Sequence, residues 1–190
     1  MMLPLIWAAI IGFCIIMYVI LDGFTLGTGM MMAFCHKTEK DIAMSVILPT
    51  WYGNQTWLVL GMASLYGAFP EAFSVLLPIL YIPLLLMVIS LLLRGVIFEF
   101  RLKSHQGRKF WDSLFIVSCL VVTLIQGTIL GNFIQGFGRS DYAWLNSFSL
   151  LCGVFLVCGY ALLGATRLIL KTSGTVQQKM RRIAGIFMVI

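Results

Sequence analysis

The sequence predicts an all-α fold: a polytopic transmembrane helical bundle. Three observations predict it. Apolar residues make up 61% of the 190-residue chain and charged residues 11%, whereas a soluble domain carries about 25% charge. The mean hydropathy is +1.00. The apolar residues also come in long unbroken runs, as spanning helices require, and not in the alternation over about ten residues that marks a membrane barrel strand.

Five runs read as spans. The first, Leu3 to Phe34, is much longer than the 7–15 apolar residues of a secretory leader and lacks a basic start, which sets a signal peptide aside. The second runs from Tyr52 to Phe69 and opens on polar residues. The third, Glu71 to Phe98, contains Pro78 and Pro83. Each removes a backbone hydrogen bond, which predicts a kink. Pro70 and Glu71 stand at the tight turn before it, as ordinary helix-start chemistry would place them; an outer-surface functional carboxylate is the other reading of Glu71. The fourth run is Phe110 to Phe137 and the fifth Trp144 to Leu170. A sixth apolar run starts at Ile183 and the sequence stops at Ile190, too short a stretch to cross a bilayer, so a longer or truncated parent chain is expected. Residues 1–140 are then expected to form one four-helix bundle from the first four spans. Residues 141–190 would supply the fifth span and the start of a second, incomplete bundle. Gly23-xxx-Gly27 and Gly127-xxx-Gly131 are small-residue seams that let helices approach closely.

The net charge of +6 is a topology signal, not a nucleic-acid footprint. Lys37, Lys40, Arg101, Lys103, Arg108, Lys109, Lys171, Lys179, Arg181 and Arg182 fall in alternate links, and the opposite links hold only Arg139. The positive-inside rule puts those basic links in the cytoplasm and the N-terminus outside. Arg94 and Arg167 lie within spans near their inner ends, where they can snorkel. Trp7, Trp51, Trp57, Trp111 and Trp144 all fall near span ends, as interfacial anchors do. Cys14, Cys35, Cys119, Cys152 and Cys158 form no metal spacing and read as packing residues. His36 and His105 lie in links, so no axial haem ligand stands out, and no catalytic or metal motif is found.

What remains is a set of polar residues in the inner half of the first three spans. Asp22 lies about 18 Å up its helix from Phe34 at 1.5 Å per residue. An ionised carboxylate there is costly and must be neutral, paired or wet. Arg94 lies above the inner end of its own span, so Asp22 and Arg94 are candidates for an ion pair. Thr25, Asn54, Gln55 and Thr56 could complete the network, and Glu99 lies lower, at the inner rim. Mutual satisfaction that holds helices together competes with a functional reading, a proton route or a headgroup site.

Several of these stretches resemble a known family. Leu21-Asp22-Gly23-Phe24-Thr25-Leu26-Gly27 resembles the DGFDLG motif of subunit II of cytochrome bd-type quinol oxidases. Pro49-Thr50-Trp51-Tyr52-Gly53-Asn54-Gln55-Thr56-Trp57-Leu58 resembles its second-span signature, in which WDGN is followed by Glu or Gln. Ala68-Phe69-Pro70-Glu71-Ala72-Phe73 resembles its outer turn, Leu93 to Arg101 its RGVAFEFR motif, and Gly131 to Gly136 a motif at the end of span four. The resemblance runs in order from about residue 4 to residue 170.

The resemblance implies two four-helix bundles in full-length members. It also implies a bacterial inner-membrane location and a partner, subunit I, that carries haems b and d and the quinol site. The complex oxidises quinol, reduces oxygen to water and takes its protons from the cytoplasm. This chain would be the haem-free subunit that packs against that partner and lines part of the proton route, with a structural quinone as a further guest. Asp22, Trp51, Asn54, Arg94 and Glu99 match motif positions. Thr25 and Tyr52 replace two Asp residues expected to pass protons, and neither holds an exchangeable charge near neutral pH. Gln55 stands where members have Glu or Gln. A secondary-transporter fragment, or a purely structural assembly protein, is the alternative.

Overall fold

Seven α-helices follow one another in the computed structural model, which describes residues 2–103, 107–137 and 143–188, with no strand among them. The first, α1, is Met2–Met31 and runs on through a 3₁₀ turn at Met32–Phe34. Its only proline, Pro4, sits in the first turn, where the missing N–H has no intrahelical partner to lose.

The link expected after span one instead contains a helix, α2, Lys37–Ile47. Glu39 accepts the backbone N–H of His36 at 2.7 Å, which satisfies one open donor at the helix start. Ala43, Met44 and Ile47 form its buried face. An eleven-residue amphipathic helix is too short and too charged to register as a span.

Helix α3 is Trp51–Ala68 and α4 is Pro70–Lys103, joined by Phe69 alone. Pro70 is the first residue of α4, where its fixed φ suits a helix start. The helix runs through Pro78 and Pro83 as one 34-residue element. Helix α5 is Arg108–Ile134. It ends in a nested pair of bonds, Phe137 N–H to the Asn132 carbonyl and Gly136 N–H to the Phe133 carbonyl, each 3.0 Å. That closure needs a residue at positive φ, and Gly136 supplies it at 81°. Asn146 caps α6, Ser147–Lys171, by accepting the Ser149 N–H at 2.8 Å. Gly174, at φ 74°, separates α6 from α7, Thr175–Phe187.

Four of these helices are long and apolar enough to span a membrane: α1, α4, α5 and α6. The second expected span is not among them. Its helix forms, but the first turns of α3 carry Asn54, Gln55 and Thr56, and these hold down its hydropathy. The start of the sixth apolar run falls inside a helix. Ile183 lies within α7, whose inner face is Val176, Met180 and Ala184, packed against α6.

Helix α1 contacts α3, α5 and α6, and α5 contacts α4 and α6. Both glycine seams face α6. A Cβ on Gly27 would run into the Tyr160 carbonyl and the Gly164 amide, and one on Gly127 into the backbone of Cys152 and Gly153. One on Gly131 would meet Ser149. The fifth span is therefore seated backbone to backbone against the first and the fourth. The boundary expected at residue 140, and Arg139 with it, lie outside the described residues, as does His105.

The first half of α1 and much of α4 turn apolar side chains outward: Leu3, Leu5, Val75 and Leu92 are each more than 60% exposed. Such surfaces belong against lipid or another protein.

Candidate functional site

Asp22 and Arg94 each stand nine residues before the C-terminal end of a helix, α1 and α4. At 1.5 Å per residue that puts each about 14 Å from the C-terminal end of its helix. They meet there. Arg94 Nη1 donates to Asp22 Oδ2 at 3.0 Å and Nη2 to Asp22 Oδ1 at 3.1 Å, with both residues 0% exposed. The planar guanidinium matches the carboxylate in a two-bond fork. Thr25, one turn below Asp22, donates to Asp22 Oδ1 at 2.5 Å and to its carbonyl at 2.9 Å. Its Oγ1 lies 3.5 Å from Arg94 Nη2. The charged pair is thus compensated within itself, as burial demands.

Asn54 comes in from α3, 4% exposed, and donates through Nδ2 to the Leu21 carbonyl at 2.9 Å. Hence the polar start of the second span: Asn54 pins α3 to α1 beside the ion pair. Trp51 packs its ring against Phe98 of α4 with centroids 4.8 Å apart. Gly95 leaves room for that indole, since a Cβ there would come within 3.2 Å of it.

Other expected members lie elsewhere. Tyr52 is 75% exposed and turns away from the pair. Glu99 is exposed and makes an i,i+4 bridge to Lys103 at 3.1 Å. Each follows a buried aromatic residue, Trp51 or Phe98, and one step along a helix rotates the side chain by about 100°. Thr56 and Glu71 are exposed as well. Gln55 is half-buried, but its Nε2 has no hydrogen-bond partner and reaches neither Asp22 nor Arg94.

The structure adds residues that the sequence reading passed over. Tyr160 of α6 donates to Gln126 Oε1 at 3.1 Å, and Gln126 of α5 donates through Nε2 to the Tyr18 hydroxyl at 2.8 Å. Tyr18 lies one turn before Asp22 on α1. Polar side chains from five helices therefore gather here, with the hydrogen-bonded run Tyr160–Gln126–Tyr18 ending one turn from Asp22. Tyrosine and glutamine in an apolar run carry no charge, so only their common depth could have flagged them.

A second cluster gathers where α4 ends and α5 begins. Arg101, 4% exposed, donates through Nε to Asp112 at 2.6 Å and through Nη2 to Asp41 at 2.7 Å. It ties α4 to α5 and α2. Lys179 of α7 reaches Glu39 of α2 at 3.1 Å. The His36 amide, followed by Lys179, holds the Glu39 carboxyl below its ordinary range, with burial opposing. Burial pushes the Cys35 thiol up to about 11, so that sulfur is inert packing.

A haem inside these helices would need an axial ligand facing the bundle interior. His36 stands exposed at the start of α2, and among the described residues no three His, Cys, Asp or Glu side chains converge. The described histidine does not fit a haem held in this bundle.

The sequence profile described as cytochrome bd terminal oxidase subunit II matches residues 3–190. The chain is 32% identical over 200 residues to cytochrome bd-I ubiquinol oxidase subunit 2 of Escherichia coli strain K12, covering 97% of this chain and 53% of that protein. It is 30% identical over 200 residues to a probable cytochrome oxidase subunit 2 of Haemophilus influenzae, with 97% and 53% covered. It is 28% identical over 193 residues to cytochrome bd ubiquinol oxidase subunit 2 of Bacillus subtilis, with 94% and 56% covered. The chain spans about half the length of the curated relatives it matches. A match over nearly every residue, on a bundle with four helices fit to cross a membrane, leaves one assignment: this multi-pass membrane chain belongs to the cytochrome bd terminal oxidase subunit II family.

Proposed function

We propose that this chain is the haem-free subunit of a plasma-membrane quinol oxidase, oriented with its N-terminus outside. It packs against a haem-bearing subunit, and the complex oxidises quinol and reduces oxygen to water. One observation carries the reading: three stretches far apart in sequence, around Asp22, Asn54 and Arg94, meet at a single sealed point. A two-bond ion pair closed off between helices performs no redox step. It fixes the register of α1 against α4 and so holds the bundle in one shape for a partner. Asp22 is on this account a positioning residue. It accepts bonds from Arg94 and Thr25, which fix its position between the helices. Glu99 is an exposed carboxylate that directly follows Phe98 of the Trp51–Phe98 stack, and we assign proton uptake along this subunit to Glu99 and water. A transporter would favour an interrupted helix at mid-span, and α4 runs unbroken through both prolines.

The test is purification of the complete protein from its own membranes. The expected result is copurification with a membrane partner, with haem content that follows the partner. Haem bound in stoichiometric amount by this polypeptide alone overturns the reading. Glu99→Gln should slow quinol-driven proton uptake without lowering the amount of assembled complex, whereas Asp22→Asn should lower the amount assembled.

A further inference from the structure

Four arginines lie within the membrane-crossing helices, and three have carboxylates. Arg94 has Asp22, Arg101 has Asp112 and Asp41, and Arg108 has Asp41. The fourth, Arg167 of α6, has none within 4.0 Å among the described residues. Its Nη2 donates to the Thr50 hydroxyl at 3.0 Å, and its guanidinium carbon sits 5.8 Å from the centre of the Phe24 ring. Its Nε is buried with no acceptor. The side chain is half-buried overall, so part of the guanidinium opens outward from the bundle. A hydroxyl and an aromatic face orient a cation but do not neutralise it, and a guanidinium in an apolar setting needs a counter-anion.

Position narrows the choice of anion. Arg167 lies four residues before the end of α6, about 6 Å from it at 1.5 Å per residue. From that depth a long cationic side chain reaches the headgroup layer, where phospholipid phosphates sit. Lys171, one turn nearer the cytoplasm, is exposed and falls on the same side of the helix. The basic links place this end at the inner leaflet, which carries anionic lipid. We propose that Arg167, held in place by Thr50 and Phe24 and assisted by Lys171, binds the phosphate of an anionic phospholipid of the cytoplasmic leaflet. The fork of the guanidinium suits two phosphate oxygens, and the exposed apolar surface of α6 (Leu170 is 83% exposed) suits the acyl chain.

The test uses the complete protein in its purified complex, stripped of lipid in detergent. Phosphatidylglycerol, phosphatidylcholine and inorganic phosphate are added back separately, and retained lipid is counted by native mass spectrometry alongside the melting temperature. Phosphatidylglycerol should be retained and should raise the melting temperature, and Arg167→Gln should weaken its retention by roughly fivefold. Arg167→Lys should keep part of the effect, and Arg181→Gln, an exposed cation on α7, should leave it intact. Equal retention of phosphatidylcholine, equal protection by inorganic phosphate, or unchanged retention in Arg167→Gln would each overturn the proposal. Retention is read per folded complex, so a less stable variant still gives an answer.

Discussion

Replacing Asp22 with asparagine keeps the shape of the side chain and removes its charge. The Arg94 guanidinium, 0% exposed, is then left with no carboxylate. At a contact of 3.0 Å the lost attraction is about 5.5 kcal/mol with an effective dielectric of 20. Breaking one side of a buried ion pair costs about 3–5 kcal/mol in measured cases, which agrees. The amide would still offer a carbonyl oxygen to one Arg94 nitrogen, so the expected loss is near the lower figure, about 3 kcal/mol. The assay is reversible unfolding of the purified complex in mixed detergent, or the yield of assembled complex where unfolding is irreversible. Arg94→Gln should cost a similar amount. The double variant should cost less than the sum of the two by about 2 kcal/mol, because neither buried charge is then orphaned. Strict additivity, or a loss under about 1 kcal/mol for Asp22→Asn, would show that the pair does not bear on the fold in this way.

Gly27→Ala should cost about 3 kcal/mol and reduce assembly yield, since its methyl meets backbone of α6 and not a side chain that can turn aside; Gly12→Ala, where nothing lies within 4 Å, is the control. Arg101→Gln should cost about 2 kcal/mol and loosen α2 in hydrogen exchange, with Lys40, 3.9 Å from Asp112, limiting the loss. Glu39 has its carboxyl held below the ordinary value of 4.5, so the stability it lends is complete above that value and is lost as pH falls through the lowered native one. Amide exchange in α2 should therefore speed up in that acid range, and Glu39→Gln should remove that pH dependence.

How far the sequence could be read depends on what each residue signals alone. Asp22 and Arg94 are charges inside apolar runs, so each stands out, and helix rise then places them at one depth. Asn54 stands out in the same way at the head of α3. Tyr18, Gln126 and Tyr160 do not, because uncharged polar residues are common in spans and their value here comes from being neighbours across three helices. Tyr52 and Glu99 share motifs with buried residues yet point outward, because a linear motif does not specify which face of a helix each member takes. Helix α2 is hidden by its charge, and the contact of α6 with α1 by the distance between them in sequence. The glycine seams were visible, but not that both face the same helix.

That last point bears on how the bundle resists the membrane. Lipid offers no hydrophobic drive for one apolar helix to leave it for another, so packing and polar contacts must hold the helices. Here the two devices sit at the same place. Gly23 and Gly27 bring α1 against Tyr160 and the α6 backbone, and the hydroxyl of that same Tyr160 begins the polar string that passes through Gln126 and Tyr18 to the region of Asp22. Close approach shortens the distances the string must bridge, and the string sets the rotation at which close approach occurs. Tyr160→Phe separates the two effects: it keeps the ring against Gly23 and deletes only the donor to Gln126. If register depends on the string, Tyr160→Phe should lower stability by about 1 kcal/mol, and Gln126→Leu combined with it should cost little more. If the glycine seams alone hold α6, Tyr160→Phe should be neutral while Gly27→Ala remains costly.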